Sequence, residues 1–489
     1  MFLGIDLGTS GVKALLVDHG DRVVAEASAP LDVQRPRPLW SEQDPDEWWR
    51  ATDEAVARLG ERVPGALGGL EAIGLSGQMH GATLLGDDDR PLRPAILWND
   101  GRSAAECDEL ERRVPASRKI TGNLAMPGFT APKLVWLAEH EPEVFSRVSH
   151  VLLPKDYLRL RLCGERAADL SDASGTLWLD VAERCWSDTM LAATGLSQRA
   201  MPRLVEGSDV TGVLRRELAD RWGLADNVVI AGGAGDQAAG AIAAGVIDAG
   251  QAFLALGTSG VTFVAGDTFQ PDPEQAVHAF CHALPDRWHQ MSVILSAASC
   301  LPWLVSLTGA RDEAQLLAEV ERGTREPSGA LFLPYLSGER TPHNDPDARG
   351  VFFGLTHESD RAELARAVLE GVAFALADGQ RALVDAGAHI ERLAVLGGGA
   401  RSRVWGEILA SVLGCPLDYA AGAEVGPAFG AARLARLAAT GESPAIVCRP
   451  PAVAHTIEPD PEQVAHYRQR FALYRKLYTE LRQSFRALA

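Results

Sequence analysis

The sequence has no run of 18 uninterrupted apolar residues, no CxxC pair and no excess of basic side chains, and each absence closes off a class of protein. Without a long apolar run there is no candidate membrane-spanning helix. The N-terminal MFLGIDLGTS has no basic segment ahead of its apolar residues and carries Asp6 among them, so it does not read as a secretory signal. The seven cysteines are dispersed, an odd set that reads as reduced core thiols and predicts a cytoplasmic protein. Lys and Arg number 47 against 65 Asp and Glu, a net charge of −18, which is the wrong sign for holding a nucleic-acid backbone. Neither a GxxxxGK[ST] loop nor the HRD and DFG motifs occur, so P-loop and protein-kinase folds are excluded as nucleotide binders. Any polyanionic ligand must be held by local devices: backbone N–H groups, helix N-termini or a bound cation.

What is present is an ordinary folding composition, 46% hydrophobic and 23% charged, in a chain of 489 residues that exceeds what one hydrophobic core organises. Two domains are expected. The hexapeptide Leu-Gly-Thr-Ser-Gly-Val occurs at Leu7–Val12 and again at Leu256–Val261. Each copy follows one strand-like run and precedes another, so each reads as a hairpin, and the pair reads as a duplicated lobe. Further strands are predicted at 22–27, 71–75, 227–230 and 393–396, and helices at 361–386 and 403–413, which together indicate layered α/β domains. The boundary falls near 246–251, where Gly245, Asp248 and Gly250 interrupt the pattern. The tail from Pro461 reads as an amphipathic helix whose Tyr467, Phe471, Tyr474 and Tyr478 serve packing or the subunit contact of a homodimer.

A Gly-Thr-Ser-Gly turn can point several N–H groups and two hydroxyls at one phosphate, because glycine allows close approach. Asp6, before the first turn, is a candidate to hold the water shell of Mg²⁺. The cluster Gly397–Ser402 lies between a strand and a helix, where backbone could pass beneath an adenosine. Asp236 ends the apolar run Ala231–Gly235 among glycines; it is read either as a general base or as the N-cap of a helix over 237–244. Gln78, Met79 and His80, at the end of another strand, could orient hydroxyls. His278, Cys281, His282 and His289 match a metal-ligand spacing only loosely and are not read as a metal site.

These residues, with the long stretches Gly128–His140 and Gly350–Glu370, resemble the FGGY family of sugar and polyol kinases over nearly the whole chain. The segments Trp40–Pro45, Gln78–Gly81, Trp98–Asp100 and Tyr335–His343 point to the branch of that family acting on D-xylulose. The resemblance implies two duplicated actin-like ATPase (ribonuclease H-like) domains with an interdomain cleft: 1–246 on the sugar side, 247–445 on the nucleotide side, then a helical tail, 446–489. It implies ATP-dependent phosphorylation of D-xylulose, with Asp236 as the base, Asp6 as a second catalytic carboxylate holding Mg²⁺ through water, and Met79, His80, Asp236 and Gln237 as sugar contacts. Thr9, Ser10, Lys13, Gly257, Thr258, Ser259, Gly398, Gly399 and Ser402 would hold ATP. Ribulose or glycerol kinases would share every phosphate motif, and Gln237 does not separate them. An actin- or chaperone-like ATPase is a more distant rival. Membrane and nucleic-acid partners are not expected.

Overall fold

The computed structural model describes residues 1–323, 326–397, 402–421 and 426–488. The first half is built on strands β1 (Phe2–Gly8), β2 (Gly11–Val17), β3 (Val23–Pro30), helix α1 (Pro45–Arg62), β4 (Ala72–Gly77), helices α2 (Thr130–His140), α3 (Pro154–Cys163) and α4 (Leu170–Ser174), β5 (Val210–Val213), β6 (Val229–Ala231), β7 (Ala234–Gly235) and helix α5 (Asp236–Ala244). The second half holds β8 (Ala252–Leu256), β9 (Gly260–Gly266), β10 (His278–Cys281), β11 (Trp288–Ile294), helix α6 (Arg361–Asp385), β12 (Leu393–Leu396), helix α7 (Arg403–Leu413), β13 (Leu417–Ala420), helix α8 (Pro427–Thr440), β14 (Val453–Ile457) and helix α9 (Pro461–Leu488).

Two seven-stranded sheets carry the repeat. The first runs β5-β6-β4-β1-β2-β3, with β7 also paired to β4; the second runs β14-β13-β12-β8-β9-β11, with β10 added at its edge. The orientations match strand for strand. β1 pairs antiparallel with β2 and parallel with β4, as β8 does with β9 and β12. Each hexapeptide is the hairpin turn at the centre of its sheet.

The two faces of β1 explain the layers, because alternate side chains point to opposite sides. Leu3, Ile5 and Leu7 share a core with Trp48, Ala51, Ala55 and Leu59 of α1. Phe2, with Leu15 and Val17 of β2, packs instead with Ala428, Phe429, Ala432 and Ala435 of α8. A helix from the second half therefore covers the first sheet. Reciprocally, Ala241 and Ala244 of α5 share an apolar cluster with Phe253 and Phe263 of the second sheet. The two helices cross closely: a Cβ on Gly430 would lie 1.8 Å from the Ala239 carbonyl oxygen, so only glycine lets them meet.

The tail helix α9 buries Tyr467, Tyr474, Tyr478 and Phe485 in the second core, where the Tyr474 hydroxyl donates to that of Tyr335 (2.8 Å). Its aromatic stripe is packing within the chain. No helix among the described residues is long and apolar enough to cross a membrane.

Candidate active site

Asp6 and Asp236 come together through β4. In register, Asp6 lies beside Ser76, and Ser76 lies beside Ala234 on its other side, two residues before Asp236. Neighbouring strands are about 4.8 Å apart, so the β1 and β7 backbones are separated by about 10 Å at one end of the sheet. Burial raises the Asp236 carboxyl to about 7, the Asp6 charge adds to that rise, and the Gln237 N–H, donating to Oδ1 at 2.8 Å, opposes it. Burial likewise lifts Asp6 to about 6, against Ser76 and the Lys13 charge. Gly235 occupies the N-cap position of α5 and Asp236 is its first residue. The Asp236 carboxylate is thus not that helix's N-cap.

His80 stands at the end of β4 with a φ of 68°. Its Nδ1 contacts the Gly175 carbonyl at 2.6 Å. A carbonyl only accepts, so Nδ1 carries the proton and Nε2 keeps its lone pair. Burial holds the ring neutral, pushing it down to about 3, and the Gly175 bond opposes this only in part. The ring sits edge-on to Phe129, 4.7 Å between centroids. A side chain on Gly175 would strike it, its Cβ lying 2.5 Å from Cε1. Behind His80, the buried Lys133 ammonium donates to the carbonyls of His80 (2.8 Å) and Gly128 (2.9 Å), and burial brings it down to about 7. Met79 is buried against Gly235, its sulfur 2.9 Å from where a Cβ there would sit.

The first turn has a different neighbourhood from the one expected. The Thr9 hydroxyl donates to Gln78 Oε1 (3.0 Å) and accepts from Trp98 Nε1 (3.0 Å), while the Thr9 carbonyl accepts from Gln43 Nε2 (2.7 Å). Its side chain is therefore tied to Gln78, two residues before His80, and to Trp98. Ser10 is exposed, and the Lys13 ammonium pairs with Glu26 at 2.7 Å on the surface. In the second turn, Gly257 N–H donates to the Ser259 carbonyl, and the carbonyls of Gly257 and Thr258 accept from Ala298 and Ala297, with the Ser299 hydroxyl also donating to Thr258. Ser402 caps α7 by accepting the Trp405 N–H (3.3 Å). Gly398 and Gly399 lie outside the described residues. Gln237 follows Asp236 and is partly buried.

His278, His282 and His289 pack as rings among Phe263 and Phe280. The group of ligand-type side chains close enough to share an ion, among the described residues, is instead Glu106, Glu139 and His140. Reading the sequence missed the buried charges of α3: Lys155 and Arg159 carry no mark that separates them from surface cations.

The paired half-sheets and the two carboxylates at one sheet end accord with the comparisons. Residues 1–243 match the N-terminal domain of the FGGY family of carbohydrate kinases, and residues 252–439 its C-terminal domain. The chain belongs to that family, and is a carbohydrate kinase that uses ATP. Among its relatives, it is 56% identical over 482 residues to a xylulose kinase of Escherichia coli, covering 98% of this chain and 99% of the other. A crystal structure described as a "xyloylose kinase" from Brucella ovis superposes with a TM-score of 0.96 at 53% identity, covering 99% of both chains. A gluconate kinase from Lactobacillus acidophilus superposes almost as well, at 0.94, with 26% identity over 100% of this chain and 99% of its own. The fold alone therefore does not choose the sugar.

Proposed function

We propose that the protein transfers the γ-phosphoryl group of ATP to the terminal hydroxyl of D-xylulose, giving D-xylulose 5-phosphate and ADP. The observation that carries the substrate is the 56% identity to a xylulose kinase over nearly the full length of both chains. The observation that supports the mechanism is the Asp236 carboxyl, lifted to about 7 beside Asp6.

In this reading His80 Nε2 accepts a hydrogen bond from a sugar hydroxyl, Met79 packs against the carbon chain, and Gln237 contacts the sugar beside the base. Asp236 takes the proton of the terminal hydroxyl as its oxygen bonds to the γ-phosphorus, while the bond from that phosphorus to the β–γ bridging oxygen breaks and ADP leaves. A base titrating near 7 is matched to neutral pH, unprotonated half the time yet basic enough to accept the proton. Thr9, Ser10, Lys13, Gly257, Thr258 and Ser259 are assigned to the phosphates of ATP, Lys13 on leaving its pairing with Glu26; Gly398, Gly399 and Ser402 are assigned to the adenosine. Most of the acceleration comes from positioning and fixed dipoles.

The residues also fit Mg²⁺. Asp6 Oδ1 is buried without a hydrogen-bond partner, which a cation or its bound water would satisfy. Asp6 would hold it through water, and the ion would neutralise phosphate charge. We place the protein in the cytoplasm, with 1–246 as the sugar side, 247–445 as the nucleotide side and 446–489 as the tail. ADP release across D-xylulose, D-ribulose, L-ribulose, glycerol and gluconate tests the assignment. D-xylulose should give the highest kcat/KM; preference for any other member overturns it.

A further inference from the structure

Behind the candidate site lies a charge cluster sealed from water. The Lys155 ammonium meets Asp156 Oδ1 (2.7 Å), Asp169 Oδ2 (2.6 Å) and Asp172 Oδ2 (3.0 Å), and Arg159 Nη2 lies 3.3 Å from Asp156, every one of these side chains 0% exposed. Burial pulls the Lys155 ammonium down, but the three carboxylates outweigh it and hold the group charged. Taking so many ions out of water is costly, and such clusters often stabilise less than apolar side chains of the same volume. Fold stability alone is a poor reason for this one.

Its hydrogen bonds end on the two segments that carry the candidate base and the candidate sugar ligand. Arg159 Nη1 donates to the Ala231 carbonyl (2.6 Å) and Nη2 to that of Gly232 (2.5 Å), the start of the loop leading to Asp236. Asp169 Oδ1 accepts from the N–H groups of Ser171 (3.0 Å) and Asp172 (3.1 Å) and from the Ser171 hydroxyl (2.5 Å). The Ser171 oxygen in turn accepts the N–H of Gly235 (3.1 Å), the residue before Asp236. The other end of α4 closes on His80: Gly175 N–H donates to the Asp172 carbonyl (3.0 Å), and the Gly175 carbonyl accepts from His80 (2.6 Å). Lys155 and Arg159 are four residues apart on α3, so one helical face addresses both segments.

We propose that Lys155, Arg159, Asp169, Asp172 and Ser171 form a positioning network for the reaction: Arg159 and Ser171 set the backbone of Asp236, and the Lys155–Asp169–Asp172 cluster sets Gly175 and through it His80. This rests on the reading of Asp236 and His80 given above. All five side chains are fully buried, so they act through the segments they hold. They hold two groups from distant parts of the chain at one fixed separation, and a misplacement of about 1 Å can lower a rate about a hundredfold.

Two variants of the full chain test it. Ser171→Ala removes the acceptor of Gly235 N–H with little change of volume. The double variant Lys155→Met/Asp172→Asn deletes one cation and one anion together, leaving the remaining charge balance as it was. Expected are a kcat about tenfold lower in Ser171→Ala, and a KM for D-xylulose about tenfold higher in the double variant, with the KM for ATP within about twofold of wild type in both. Wild-type kcat and D-xylulose KM in a folded Ser171→Ala overturn the network, whatever the double variant does. So does an equal rise of both Michaelis constants, or a loss of activity no larger than the unfolded fraction accounts for, which mark a merely structural role. Asp236→Asn is assayed beside them: if it keeps its turnover, the base assignment fails, while the D-xylulose KM of the double variant still reports on the network through His80.

Discussion

Asp236→Asn should cost activity and gain stability, and the gain should depend on pH. Raising a carboxyl from its ordinary 3.8 to about 7 means that the folded protein holds an unfavourable charge at alkaline pH, worth about 4 kcal/mol in full. The side chain is only partly buried, at the mouth of its loop, so about 2 kcal/mol is the expectation. The stability that protonated Asp236 contributes is present below 3.8 and is lost as pH rises through 7. Asparagine resembles the protonated acid and never pays that cost. The variant should therefore melt about 2–4 °C above wild type at pH 8.5, and the difference should shrink steadily toward pH 4. Turnover should fall by roughly 10²–10⁴, the range for a positioned base. Calorimetric melts at pH 4.5, 6.5 and 8.5, with coupled ADP assays on the same preparations, are sufficient. A variant no more stable than wild type at pH 8.5, or a difference constant with pH, refutes the electrostatic argument; near wild-type turnover refutes the role.

Three other outcomes follow from the geometry. His80→Ala should raise the KM for D-xylulose about tenfold or more and leave the KM for ATP within about twofold, because the ring is held in the first lobe by Gly175 and Phe129; equal rises in steady-state assays would make it structural. The lobes should close when sugar and nucleotide are both bound, bending near Gly245–Gly250, so small-angle scattering should give a smaller radius of gyration with D-xylulose plus a non-hydrolysable ATP analogue than with either omitted; an unchanged radius with binding confirmed removes closure. Gly430→Ala drives a Cβ into the Ala239 carbonyl and should lower stability by about 1–3 kcal/mol, read as a fall of several degrees in Tm, whereas an unchanged Tm would mean that the crossing helices α5 and α8 yield freely.

Much of this protein was legible in one dimension. The repeated hexapeptide marks two hairpins, and they sit at the centres of two sheets with the same strand order. Helix 403–413 matches its apolar spacing residue for residue, and the aromatic stripe of the tail falls on one helix as read. Asp236 stood out at the end of an apolar run among glycines, Met79 and His80 at the end of another strand, and Asp6 as a charge within the apolar run before the first glycine turn. These are local signals: periodicity states which face of an element is apolar, and a turn motif states where the chain reverses.

Neither states which element meets that face. Only the tertiary structure decided that α8, from the end of the second half, lies across β1 and β2, and that α5 answers it from the first. Only the fold turned the Thr9 hydroxyl toward Gln78 and Trp98, a choice made by side chains 69 and 89 residues away. The buried cluster on α3 is the plainest case. Lys155, Asp156 and Arg159 have the composition of a solvated helix face, because a charge carries no mark of depth in sequence. Depth was set by what packed around them: strand 167–169, α4 and the loop to Asp236 surround these charges and supply their partners, so their burial belongs to the whole assembly and not to the ten residues of the helix.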